Sequence, residues 1–149
     1  MIKKNIILIS LIFFFTSCGF TPIYLKNTNV NFSIEQLNFK GDRELSNFLK
    51  INLNQFKNKK SENKIYVDVD SKYEKTILSK DGAGKATNYE LRAEVIFLIK
   101  STNKKIKIVE KEVMKSMNDK FEEENYETSI KENFASSISY KFTSELIFN

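Results

Sequence analysis

Chemistry in this chain has to come from carboxylates, amines and one thiol, because it contains no histidine and a single cysteine, Cys18. His-dependent triads, zinc-hydrolase sites and imidazole bases are thereby excluded. A lone cysteine also excludes an intrachain disulfide. Two groups of carboxylates remain: Asp68 and Asp70, whose spacing puts them on one face of a strand, and the run Glu122-Glu123-Glu124. Either arrangement could bind a divalent ion or act in acid/base work, but such groupings are more often plain solvated charge. No enzyme, no metal site and no cofactor is therefore expected. Gly82-x-Gly84 lacks the spacing and the strand-to-helix setting of a phosphate loop, and reads as a turn.

The position of Cys18 is more informative than its count. Lys3 and Lys4 precede an apolar run from Ile6 to Phe15, interrupted only by Ser10. The run is shorter than the roughly 20 residues a helix needs to cross a bilayer, and its layout is that of a signal peptide. Phe15-Thr16-Ser17-Cys18 resembles the lipobox of bacterial lipoproteins, with Phe15 in place of the usual leucine. That resemblance implies lipidation of Cys18 and cleavage before it. A cysteine directly after such a run has no folded neighbours to bury it, and a free thiol in an oxidising compartment would be a liability. Gly19 is not the aspartate that commonly retains lipoproteins in the inner membrane, so the resemblance implies the outer membrane. The chain divides into a signal peptide (1–17), a lipidated extended tether (18–29) and one domain (30–149).

Removal of the signal leaves about 132 residues, enough for one domain with a real core. The formal charge of +5 falls to +3 once Lys3 and Lys4 are lost. Basic residues are interleaved with acidic ones instead of forming the concentrated stripe of a nucleic-acid binder, so nucleic acid is not an expected partner.

Pro22 keeps the tether extended. Val30, Phe32 and Ile34 alternate, and Leu37 and Phe39 resume on the opposite parity, which predicts a first strand with a bulge near Glu35-Gln36. Gly41-Asp42 ends it, with Asp42 as N-cap of a helix carrying Leu45, Phe48, Leu49, Leu53 and Phe56 on one stripe. Lys57 to Lys60 are expected to close that helix. Ile65, Val67, Val69, Tyr73 and Ile77 share one face of a second strand, with Asp68, Asp70, Lys72 and Glu74 on the other. After the Asp81-Gly82-Ala83-Gly84 turn, Tyr89, Leu91, Ala93, Val95, Phe97 and Ile99 give a third strand, forming a hairpin with the second. Beyond a turn at Ser101 to Lys104, Ile106 and Ile108 followed by Val109 and Val113 predict a fourth strand whose parity switches at a bulge. A last helix is expected from Asn125 to Leu146, with Tyr126, Ile130, Phe134, Ile138, Phe142 and Leu146 four apart. At that spacing the stripe drifts by about 40° per step. The order βαβββα predicts an α+β two-layer sandwich, two helices on one face of a four-stranded mixed sheet.

With these residues in view, the chain resembles the LPS-assembly lipoprotein family LptE in its alphaproteobacterial form. Cys18-Gly19-Phe20-Thr21-Pro22-Ile23-Tyr24 resembles the Cys-Gly-Phe-x-Pro-Leu-Tyr opening of that family. Gly41-Asp42-Arg43-Glu44 leading into Leu49 resembles its first helix start, Ile65 to Val69 its second strand, and Asn125-Tyr126 followed by Ala135 its final helix. Glu127 and Thr128 depart from it where alanines are common. The resemblance implies a non-enzymatic outer-membrane lipoprotein that plugs an LptD-like β-barrel, helps it fold and helps deliver lipopolysaccharide. On that reading Lys80 and Lys85 in the turn and Arg92 on the wet strand face are candidates to meet lipid phosphates, since turn tips project furthest and arginine binds phosphate bidentately. In a chain that is 29% charged, any such residue is more often a plain solvated surface charge. The alternative is a lipoprotein adaptor of the same architecture, facing the periplasm and binding another envelope protein without contacting lipopolysaccharide.

Overall fold

The computed structural model describes residues 32–57, 61 and 63–148; the expected signal peptide, Cys18 with its tether, Val30 and residues 58–60 lie outside the described residues. The elements run β1 (Ser33–Gly41), α1 (Arg43–Asn54), β2 (Lys64–Lys80), β3 (Ala86–Ile99), β4 (Lys104–Lys115) and α2 (Lys120–Phe148). The sheet order is β1-β2-β3-β4, with β1 parallel to β2 and the other pairs antiparallel. This is the α+β sandwich and the element order that the patterning predicts.

Local chemistry explains the first crossover. The register of β1 slips between Ile34 and Gln36, which brings Leu37 and Phe39 onto the same side as Ile34, opposite Val67 and Val69. The strand stops at Gly41, whose φ of +96° suits a residue without Cβ; an added Cβ would sit 1.8 Å from the Ser71 carbonyl oxygen. Asp42 then caps α1, its carboxylate accepting the Leu45 N–H at 2.8 Å. The helix buries Leu45, Leu49 and Leu53 completely, each contributing about 1.5–3 kcal/mol. It ends at Asn54 with no basic residue in its last turn. The expected lysine closure is therefore corrected: Lys57 lies beyond the helix end, and the dipole is left to the Gln55 backbone cap.

The core lies between the helices and one sheet face. Val67 and Val69 of β2, Leu91, Ala93, Val95 and Phe97 of β3, and Ile130, Phe134, Ile138 and Phe142 of α2 are all buried there. Phe97 and Phe142 stack with ring centroids 4.0 Å apart.

Three further expectations are corrected. β4 pairs with β3 without a register shift, so no bulge switches its parity. Ile106, Ile108 and Met114 face the helices, while Val113 is 56% exposed on the other face. The apparent switch in the sequence came from the charged Glu110 and Glu112, which occupy helix-side positions between them. α2 begins at Lys120, five residues before the expected Asn125. Asp119 accepts the Phe121 and Glu122 N–H groups, a cap that the acidic run conceals from an apolar count. Ile77 lies on the predicted side of β2 but is 53% exposed, because the aliphatic cover thins beyond Tyr73.

Candidate interaction surface

The far half of β2 is tied to α2 by charge. Lys75 follows Tyr73 on the helix-side register of β2, and its ammonium lies 3.2 Å from Glu123 and 2.8 Å from Glu127. The Tyr73 hydroxyl donates to Glu127 at 2.9 Å, and Lys131 lies over the Tyr73 ring and 2.6 Å from Glu44 of α1. Glu123 is buried and accepts from the Met117 N–H and the Ser116 hydroxyl as well as from Lys75 and Lys120. The Met117 backbone bond, helped by both lysines against the cost of burial, pulls its carboxyl from 4.5 down to about 2. Burial alone would lower the Lys75 ammonium, but its bonds to Glu127 and Glu123 outweigh that and raise it. Burial and the bond to Glu127 push the Tyr73 phenol up.

This cluster was missed from sequence. Its signal was available: Lys75 falls on the parity of Tyr73 and Ile77, and a lysine on a buried register calls for an acidic partner. The acidic run is thereby divided, with Glu123 buried and Glu122 and Glu124 left exposed.

The open face of the sheet is a lattice of neutralised pairs. Asp68 accepts from Asn38 at 2.7 Å and lies 3.1 Å from Lys100; these two contacts lower its carboxyl. Asp70 pairs with Lys40 at 3.0 Å, and Lys111 with Glu90 at 3.1 Å. The two aspartates are thus engaged as surface ion-pair partners. Among the described residues no group of three or more metal-ligating side chains occurs. A shallow depression of about 450 Å³ opens on this face, floored by Ile96 and Leu98 and edged by Lys40, Asp70 and Lys105.

The three candidate cations do not form one site. Lys80 and Lys85 flank the hairpin turn, whose shape Asp81 fixes by accepting the Ala83 and Lys85 N–H groups at 2.9 Å. Both lysines are exposed. Arg92 lies opposite Glu74 in mid-sheet, six residues from Ala86 and so on the order of 20 Å from the turn. Its guanidinium donates to Glu94 at 2.8 Å, and Glu94 is shared with Lys107 at 2.7 Å. Lys107 first and Arg92 second lower the Glu94 carboxyl.

Exposed apolar side chains gather around the same hairpin end: Ile77 and Leu78 of β2, Val113 of β4 and Phe121 of α2. Among the described residues, no helix is long and apolar enough to cross a membrane.

No protein-family model matches the chain, and no curated protein matches its sequence. Among solved structures, rare lipoprotein B from Shewanella oneidensis is similar at 15% sequence identity, over 74% of this chain and 92% of that one, with a TM-score of 0.53. An uncharacterized lipoprotein B from Nitrosomonas europaea is similar at 13% identity, over 78% and 84% of the two chains, with a TM-score of 0.48. The first of these likenesses shows a shared fold.

Proposed function

We propose that the chain is an outer-membrane lipoprotein of the LptE kind, anchored through lipid on Cys18, that plugs an LptD-like β-barrel, assists its folding and helps hand over lipopolysaccharide. The observation that carries this reading is a coincidence of two independent features. A lipobox-like Cys18 and the Cys-Gly-Phe-x-Pro opening stand ahead of a domain that shares the fold of a protein named rare lipoprotein B. The same opening favours the alphaproteobacterial form of the family.

The surface suits such a role. A plug must match a polar lumen, and the open sheet face offers paired charges in place of a dry apolar plane. At the hairpin end, Lys80 and Lys85 lie beside exposed Ile77 and Leu78, a pairing of cation and aliphatic surface suited to a phosphorylated lipid. Arg92 contributes less directly, because Glu94 holds it. Replacing Lys80, Lys85 and Arg92 together by alanine is expected to weaken lipopolysaccharide binding beyond its general salt dependence; unchanged binding would remove the assignment. For the barrel, depletion of the LptD-like protein is expected to lower the steady-state amount of the lipoprotein and expose it to protease. An adaptor for another envelope protein would keep its level and its resistance.

A further inference from the structure

The parallel partner of β2 ends before β2 does. β1 pairs with it only from Lys64 to Ser71, and the last bond across that seam runs from the Asp42 N–H to the Ser71 carbonyl at 2.9 Å. β2 continues to Lys80, paired on its other side with β3. Backbone groups alternate sides along a strand, so the orientation of Ser71 fixes that of its successors. Tyr73, Lys75 and Ile77 therefore turn their N–H and C=O groups to the open edge, and among the described residues none of these groups has a hydrogen-bond partner. Edges of this sort are templates for a further strand unless charge, proline or a bulge blocks them. Here the register of β2 first shifts at Leu78, after Ile77, so the edge from Tyr73 to Ile77 runs without a bulge, and Ile77 and Leu78 at its end are both exposed.

We infer that the outer edge of β2 from Tyr73 to Ile77 is a strand-addition site for an extended, acidic segment of a partner polypeptide. The backbone asks for a strand, which alone offers donors and acceptors at this repeat. Charge selects its composition. Lys75 is neutralised internally by Glu123 and Glu127, whereas Lys80 and Lys85, beyond the Ile77 end of this edge, have no acidic side chain within ion-pair distance among the described residues. Carboxylates at that end of the segment complete those pairs, and apolar residues opposite Ile77 and Leu78 cover them. A second copy of this edge in full overlap sets Lys75 against Lys75, and like charges directly opposite destabilise a strand pair. The same two lysines serve the lipid-phosphate reading, but the edge hydrogen bonds of Tyr73, Lys75 and Ile77 take a strand and not a lipid, so protection of these amides tells the two apart.

The test is amide hydrogen exchange on the full chain, with and without a synthetic peptide of alternating threonine and valine that carries two glutamates at one end. Exchange at the Tyr73, Lys75 and Ile77 amides is expected to slow about tenfold or more, while the outer edge of β4 is unchanged. The peptide with lysines in place of the glutamates is expected to bind about fivefold more weakly, and Lys80→Glu with Lys85→Glu to reverse that preference. Ile77→Pro removes one edge donor without touching the β3 ladder and is expected to abolish protection with the melting temperature retained. Absence of protection, protection on β4 instead, protection that grows with protein concentration alone, or an unreversed charge preference would each overturn the inference. None of these outcomes depends on lipopolysaccharide or a barrel.

Discussion

The two ends of β2 are held against the helices by different physics. Near Val67, Val95 and Phe97 the helices sit directly on aliphatic and aromatic side chains that are wholly buried. Beyond Tyr73, β2 is tied to α2 through Lys75, Glu123 and Glu127 and its Ile77 stays half exposed, while Leu91 of β3 and Met114 of β4 beside it remain buried. Apolar packing is short in range and non-directional, so it fixes where the helices lie. An ammonium between two carboxylates reaches further and is directional, so it braces a hairpin that projects past the helices and leaves its end open for contacts.

The tightest contact beside the apolar end is at Gly41. Gly41→Ala places a Cβ against the Ser71 carbonyl at a positive φ, and a loss on the order of 5 kcal/mol is expected, enough to unfold a marginally stable domain. Urea denaturation checks it. Phe142→Ala, which removes the ring stacked on Phe97, is expected to cost about 3–5 kcal/mol by the same measurement. Equal losses from charge removal in the far half would erase the distinction.

In the far half, Glu123→Gln is expected to cost about 2 kcal/mol, since the amide keeps some hydrogen bonds and loses the charge that strengthens them. The pH dependence has a definite sign. The Glu123 carboxyl is depressed to about 2 in the fold, so its contribution is complete above its ordinary 4.5 and is lost as pH falls toward 2. Through that window the wild-type chain is expected to lose more stability than Glu123→Gln does, and parallel acid profiles would show that the carboxylate does not brace the hairpin. Smallest of all, Ile77→Ser is expected to change stability by less than about 0.5 kcal/mol, because the side chain is already half in water.

These differences also decide what was legible in the sequence. Strict alternation in β3 and a leucine stripe in α1 report burial directly, and both were read correctly, as were the β1 bulge and the Asp42 cap. Where charge replaces apolar packing, hydrophobic periodicity is silent. It missed the start of α2, because Glu123 is the buried residue of its first turn, and it invented a bulge in β4, because Glu110 sits on the helix side, bound to Ser137 and Lys141. Of the candidate phosphate contacts, the exposure of Lys80 and Lys85 follows from their place beside a turn. The hold of Glu94 on Arg92 is a same-face pair two residues apart that the alternation already contained.

The proposed plug role is tested most directly by affinity purification of the tagged, full-length chain from native membranes, followed by mass spectrometry of the proteins retained. One large LptD-like barrel recovered in near-equal amount is the expected result; recovery of the chain alone, or with soluble proteins only, would contradict the plug reading and leave an adaptor.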